Sequence, residues 1–328
     1  MTVAQNMAKA PFQQRSSQAV ARLGLGFVLL TAIVGCQTSS AFRSNSADKP
    51  AWSGPQSGII APFKEAQFKY RTPLEVGDGG AYLKIPYDEL KDINERDEIP
   101  VRKVKSWWVR RLPRDTEKER EFRSPSGTHK YKAVGKLDGG ATMTVIYVHG
   151  RGGNRFWGFD DERFGGNFNR LKNMMLKAGG AYISTDFTDF ESTGFSDVAA
   201  LIKKYRPLTK GKLIVACGSM GNFHCWNLFQ NSATANSVDG IIVLAGFPDP
   251  RFFSSPPANS ASKRIPLMIS HGSWDPDYNY KPTQDFYRQI KSRIPAYPVR
   301  YVLFETGKHG APVRMIDWRD TLNWMDSL

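Results

Sequence analysis

The chain has 328 residues with 41% hydrophobic content, enough for one large buried core and, in an α/β arrangement, for a single domain. Its net charge of +14 leaves two kinds of anionic partner open, nucleic acid and a membrane surface. Three cysteines, Cys36, Cys217 and Cys225, are too few for a disulfide framework.

Residues 1–22 are polar and cationic and carry no acid. Residues 23–35, LGLGFVLLTAIVG, are apolar but too short to span a bilayer, which takes about 20 residues. Their length suits the hydrophobic region of a secretory signal. The end of the run, Ile33-Val34-Gly35-Cys36, resembles the lipobox of bacterial lipoproteins. The resemblance implies that residues 1–35 are a signal peptide and that Cys36 is acylated. With Gln37 rather than Asp after the cysteine, it also implies anchoring in the outer membrane, facing the periplasm. An ordinary signal peptide with an incidental cysteine, or an uncleaved anchor, stays open, and Met7 is a second possible start. Residues 36–62 are rich in Ser, Ala, Pro and Gly and read as a flexible tether to a domain at 63–328. In this setting a membrane, through the lipid anchor, is the expected partner, and nucleic acid is not.

Between 63 and 140, residues 104–112 and 131–137 read as strands and 88–97 as a short charged helix. Arg110, Arg111, Arg114, Lys118 and Arg120 form a basic cluster mixed with acids, either a solvated face or a lipid-headgroup contact. The stretch is taken as the opening strands of the main sheet plus an N-terminal elaboration. Residues 141–148 are a strong apolar strand ending in His149-Gly150-Arg151-Gly152-Gly153. The aromatics of Phe156-Trp157-Gly158-Phe159 either line a pocket mouth or pack on the domain. A helix is expected over 167–177, a strand over 181–187 and a helix over 195–205.

Residues 212–221, KLIVACGSMG, are the organising stretch: a β-branched strand runs into small residues around Ser219, and a helix follows. Gly218 and Gly221 suit a turn in which strand and helix backbones nearly touch. Cys217 and Cys225 are read as buried small apolar residues, because a strand end and the next helix are not expected to bring their Cβ atoms together. His224 is read as a packing residue. Strands are expected over 240–246, 265–272 and 298–305, a helix over 281–294, and one closing amphipathic helix over 311–328. Asp275 follows the second of these strands and His309 follows the third. Asp277 and Asp249 are rivals to Asp275, each otherwise a turn residue.

The elbow-like turn and its downstream Asp and His resemble the α/β-hydrolase family over residues 142–328, with Cys217 standing where Gly-x-Ser-x-Gly has its first glycine. The resemblance implies an α/β-hydrolase fold, a mostly parallel sheet with helices on both faces. It implies Ser219 as nucleophile, Asp275 as acid and His309 as base, in the family's chain order. It also implies an oxyanion hole from the N–H of Met220 and that of Arg151, or less favourably Gly152, with His149 bracing the loop. Residues 247–264 are too few for a large cap domain, so an open site with a modest flap is expected.

A serine hydroxyl needs a base that takes its proton during attack and returns it to the leaving group, and imidazole suits both steps. A carboxylate fixes the imidazole tautomer. The five histidines show no metal-binding spacing, and no dinucleotide glycine fingerprint follows a strand, so no metal and no cofactor is expected. The expectation is an envelope-anchored serine hydrolase that cleaves carboxylic esters through an acyl-enzyme, with phospholipid or lysophospholipid as candidate substrates. A non-catalytic lipoprotein of the same fold that binds an envelope component, or a serine peptidase, is the alternative.

Overall fold

The computed structural model describes residues 54, 57–94, 96–98 and 103–328. The signal peptide, Cys36 and most of the tether lie outside these residues. Twelve strands are present among the described residues: β1 Glu75–Gly77, β2 Tyr82–Pro86, β3 Asp97–Glu98, β4 Lys103–Val104, β5 Lys118–Ser124, β6 Gly127–Gly135, β7 Ala141–Val148, β8 Ala181–Thr185, β9 Thr209–Gly218, β10 Gly240–Leu244, β11 Leu267–Gly272 and β12 Val299–Glu305. Ten of them form one sheet in the order β1-β2-β12-β11-β10-β9-β7-β8-β6-β5, and β3 and β4 pair separately. From β2 across to β8 every neighbouring pair is parallel. The edge pairs β1/β2, β6/β8 and β5/β6 are antiparallel.

The parallel strands are apolar along their whole length because both their faces are covered. On β10, Ile241 and Val243 join one core with the helices Ser192–Tyr205, Asn222–Phe229 and Tyr280–Arg293. Ile242 and Leu244 point the other way, into a core shared with the helices Asn167–Lys177 and Trp318–Asp326. The fold is therefore α/β, with a mostly parallel mixed sheet between two helical layers.

Three sequence expectations change. Residues 104–112 are not a strand. Only Lys103–Val104 pairs with β3, and a 3-10 turn follows at Ser106–Trp108. Asn169 on the helix Asn167–Lys177 takes the place of a strand partner: its side chain accepts from Arg110 N–H (3.0 Å) and donates to Arg110 C=O (2.9 Å). The closing helix is two helices, Ala311–Met315 and Trp318–Asp326. Asp317 breaks it, because its carboxylate caps the second helix by accepting from the N–H groups of Arg319 and Asp320, while pairing with buried Arg170 at 2.9 Å. Third, the segment expected to form a flap is anchored in the core, with Phe252 fully buried against Trp226, Phe229, Phe286 and Tyr297.

Ile60, inside the stretch read as a tether, is fully buried, and its N–H and C=O both bond the Asn323 side chain. Of the basic cluster, Arg111 pairs with Glu162 and Arg120 makes a two-pronged pair with Asp138 at 2.6 and 3.1 Å. Such paired, exposed side chains read as a solvated face.

Candidate active site

Ser219, Asp275 and His309 follow the C-terminal ends of β9, β11 and β12. Parallel strands place such ends along one rim of the sheet, where ligands of open α/β folds bind. The turn after β9 is a single 3-10 turn, Ser219–Gly221, leading directly into the helix Asn222–Phe229. Ser219 sits there at φ 51°, the left-handed region, which a non-glycine residue occupies only when its surroundings hold it. A Cβ on Gly221 would lie 2.6 Å from His149 C=O, and one on Gly150 would lie 2.8 Å from Ser219 Cβ. These two positions therefore have no room for a side chain. Asn222 ties the turn from the other side, donating to Ser219 C=O at 2.7 Å and Leu244 C=O at 3.2 Å.

The three side chains form one hydrogen-bonded chain. His309 Nε2 lies 2.9 Å from Ser219 Oγ, and His309 Nδ1 lies 2.8 Å from Asp275 Oδ2. The other Asp275 oxygen accepts from the N–H groups of Asp277 (2.8 Å) and Tyr278 (3.1 Å). Burial pushes the Asp275 carboxyl up, but His309 and those two N–H groups together hold it below the usual carboxylate range, so it is ionised at neutral pH. An ionised Asp275 fixes Nδ1 as the protonated nitrogen and leaves Nε2 to accept from the serine hydroxyl. Asp277 stands 3.7 Å from His309 Nδ1 and is 62% exposed, and Asp249 instead caps the turn Pro250–Ser254 and pairs with Arg251. Asp275, Asp277 and His309 place donor atoms within 4.8 Å of one another, but the Nδ1–Oδ2 bond already uses the central pair.

A cavity of about 210 Å³ opens at Ser219, with Gly150, Arg151, Trp157, Phe164 and Val313 among its lining residues. Of the expected oxyanion donors, Arg151 lines this cavity, Met220 directly follows Ser219 in the turn, and Gly152 is not part of the lining. Trp157 belongs to the lining, whereas Phe159 is buried in the core. His149 braces the loop as expected, donating from Nδ1 to Gly150 C=O at 2.9 Å and stacking on Phe187 at 4.4 Å.

Cys217 and Cys225 form a disulfide, with Cα atoms 6.1 Å apart. This corrects the reading of both as free cysteines. With only three residues in the turn, the helix folds straight back over β9, and residue 225 lands beside residue 217. The turn also explains why a cysteine can stand where the motif has glycine: its side chain is taken up by the helix partner.

His224, one turn into that helix, is fully buried between Phe187 and Phe190. Burial pulls its pKa down to about 4, against the opposing pull of Asp189. The unfolded chain, with an ordinary histidine near 6.5, binds a proton in a window where the native state does not. Stability is therefore undiminished above pH 6.5 and falls as pH drops toward 4, by up to about 3 kcal/mol from this residue at 1.36 kcal/mol per pKa unit. Denaturant midpoints between pH 7.5 and 4.5 are expected to fall, and to fall less in His224→Phe. Equal slopes in the two proteins would remove His224 as the cause.

No family model matches the chain, and no curated protein matches it. Solved structures similar to it include an esterase from Pyrococcus furiosus, at 16% identity and TM-score 0.47, covering 66% of this chain and 95% of that one. An alpha-beta serine hydrolase homologue from Coxiella burnetii has 16% identity and TM-score 0.45, covering 62% and 95%. A protein of unknown function from Agrobacterium tumefaciens, described as a candidate alpha/beta hydrolase, has 17% identity and TM-score 0.46, covering 59% and 87%.

Proposed function

We propose that this chain is an α/β-hydrolase-type serine hydrolase that cleaves carboxylic esters through an acyl-enzyme, at a site without a large cap domain. The observation that carries the reading is the continuous chain Ser219 Oγ, His309, Asp275, at 2.9 and 2.8 Å. In this reading His309 Nε2 takes the Ser219 proton as Oγ attacks the ester carbonyl. The oxyanion is met by the N–H of Met220 and that of Arg151, with Gly152 as the alternative to Arg151. Such a donor is worth about 3 kcal/mol in the transition state. His309 then returns the proton to the departing alkoxy oxygen, and water completes the cycle by the same route. No cofactor or metal enters these steps.

The substrate proposed is a lipid-like ester, a lysophospholipid or phospholipid. The apolar walls Trp157, Phe164 and Val313 favour an acyl group. The proposed location is the cell envelope, with the signal peptide at 1–35 and the anchor on Cys36. The Cys217–Cys225 disulfide supports an oxidising compartment, where such bonds persist.

Product analysis tests the substrate class. Incubation with lysophospholipid micelles, p-nitrophenyl butyrate and a peptide p-nitroanilide is expected to release fatty acid and nitrophenol and no nitroaniline. Nitroaniline release would favour a peptidase. Retention of lysophospholipid by wild type and His309→Ala alike, with no turnover of any substrate, would favour a binding lipoprotein.

A further inference from the structure

The Arg151 N–H assigned to the oxyanion belongs to a loop with little stiffness of its own. Arg151 lies between Gly150 and the pair Gly152-Gly153, and Gly152 takes φ 74°. One turn is closed locally, by Gly153 N–H on Gly150 C=O at 3.0 Å. The rest of the hold comes from a neighbour, the connection between β8 and the helix Ser192–Tyr205, which grips the loop at both ends. At the start, Phe187 stacks on His149 with ring centres 4.4 Å apart. At the far end, the Asp186 carboxylate accepts from the Arg155 backbone N–H at 2.6 Å and from the Arg155 guanidinium. Glu119 adds a longer contact to that guanidinium, at 3.4 Å, from an exposed position. The connection is itself fixed. Asp186 N–H donates to Lys130 C=O on β6 at 3.0 Å. Fully buried Asp197 accepts from the Thr188 N–H at 2.9 Å and from its hydroxyl at 2.7 Å.

We propose that Asp186 is a positioning residue for the oxyanion hole: its carboxylate clamps Arg155 and so holds the Arg151 N–H toward the oxygen that becomes negative. The inference rests on the serine-hydrolase reading of the site. Asp186 is not part of the cavity lining at Ser219, so it acts through the loop. A carboxylate suits the task, because it takes a main-chain and a side-chain donor from the same residue. A donor fixed in advance costs no reorganisation when the charge forms, and an oxyanion hole draws its strength from that. Trp157, the loop's share of the acyl wall, is held separately, with Phe164 at 6.2 Å and Arg163 at 4.9 Å from its ring. Loss of the clamp therefore acts on the reacting oxygen more than on binding of the acyl group.

The test compares wild type, Asp186→Ala, Asp186→Asn and Ser219→Ala, with p-nitrophenyl butyrate as substrate and butyl trifluoromethyl ketone as inhibitor. Ser219 Oγ adds to the ketone carbonyl and leaves an oxyanion in the hole, so the Ki reads the hole without turnover. Asp186→Ala is expected to lower kcat by about tenfold or more, short of the roughly 10²–10³ that losing a whole donor costs. Its Ki is expected to rise by a similar factor, with KM within a few-fold of wild type. Asp186→Asn keeps an oxygen for the Arg155 N–H but drops the charge, so the same pattern is expected at about fivefold. That variant decides the question if Asp186→Ala does not fold. A structural role alone predicts a lower urea midpoint with kcat and Ki unchanged, and that result overturns the assignment. A fall in kcat with Ki unchanged, or a change confined to KM, overturns it too. Ser219→Ala separates the levels: if it is inactive while both Asp186 variants match wild type, the clamp alone fails. If Ser219→Ala stays active, the serine-hydrolase reading fails with it.

Discussion

Ser219→Ala is expected to lower kcat on a simple ester by about 10⁶-fold, and His309→Ala by a similar factor, because each removes a member of a relay that acts as a unit. Asp275→Asn is expected to cost about 10⁴-fold, since an amide at that position lets the imidazole adopt the wrong tautomer. The distances behind this are the 2.9 Å and 2.8 Å contacts of the two His309 nitrogens. The double variant Ser219→Ala/His309→Ala is expected to be no slower than either single variant. KM is expected to stay within a few-fold of wild type in all four, because the apolar walls Trp157, Phe164 and Val313 are untouched. Steady-state kinetics with p-nitrophenyl butyrate measures all of this. Losses that multiply in the double variant would mean that the two side chains act independently, which their hydrogen bond does not allow.

Removing the Cys217–Cys225 disulfide is expected to have the second largest effect, this time on stability. The bond closes a short loop, with a sequence separation of 8, and chain-entropy arguments put its worth at about 2.5 kcal/mol. Both residues are fully buried, so a reductant is expected to act only on molecules that have opened. The double variant Cys217→Ser/Cys225→Ser is expected to unfold at lower urea than wild type, and wild type is expected to join it when unfolded and refolded with reductant. The same variant has lost the strap across the strained Ser219 turn, so its kcat is expected to fall while the triad residues remain. Equal urea midpoints with and without the disulfide would contradict the role given to it.

Much of the site is legible in the sequence because each of its residues follows a strand and is marked locally. β9 announces itself by a β-branched run, and Gly218 and Gly221 flag the close approach around Ser219. Asp275 and His309 each sit just beyond an apolar strand, in the chain order that the resemblance implies for acid and base. What stays hidden depends on contacts between distant segments. Residues 104–112 have the composition of a strand, and it is the side chains of Asn169 and Asn173, far along the chain, that take the Arg110 backbone groups out of reach of one. Asp317 reads as one more polar residue on a helix until Arg170 and the capped turn give it a reason to break that helix. Asn222 and Asp186 carry no motif at all. Their importance comes from what the fold places beside them. The disulfide is the sharpest case, since strand-end and helix positions read as divergent until the turn between them is known to be one 3-10 turn long.

Chemical labelling with a fluorophosphonate ester, followed by peptide mass mapping, shows whether the Ser219 hydroxyl is an activated nucleophile. A single adduct is expected on the Ser219 peptide of wild type, formed far more slowly in His309→Ala and absent in Ser219→Ala. A folded wild-type protein that takes no label, or that carries the adduct on another residue, would contradict it.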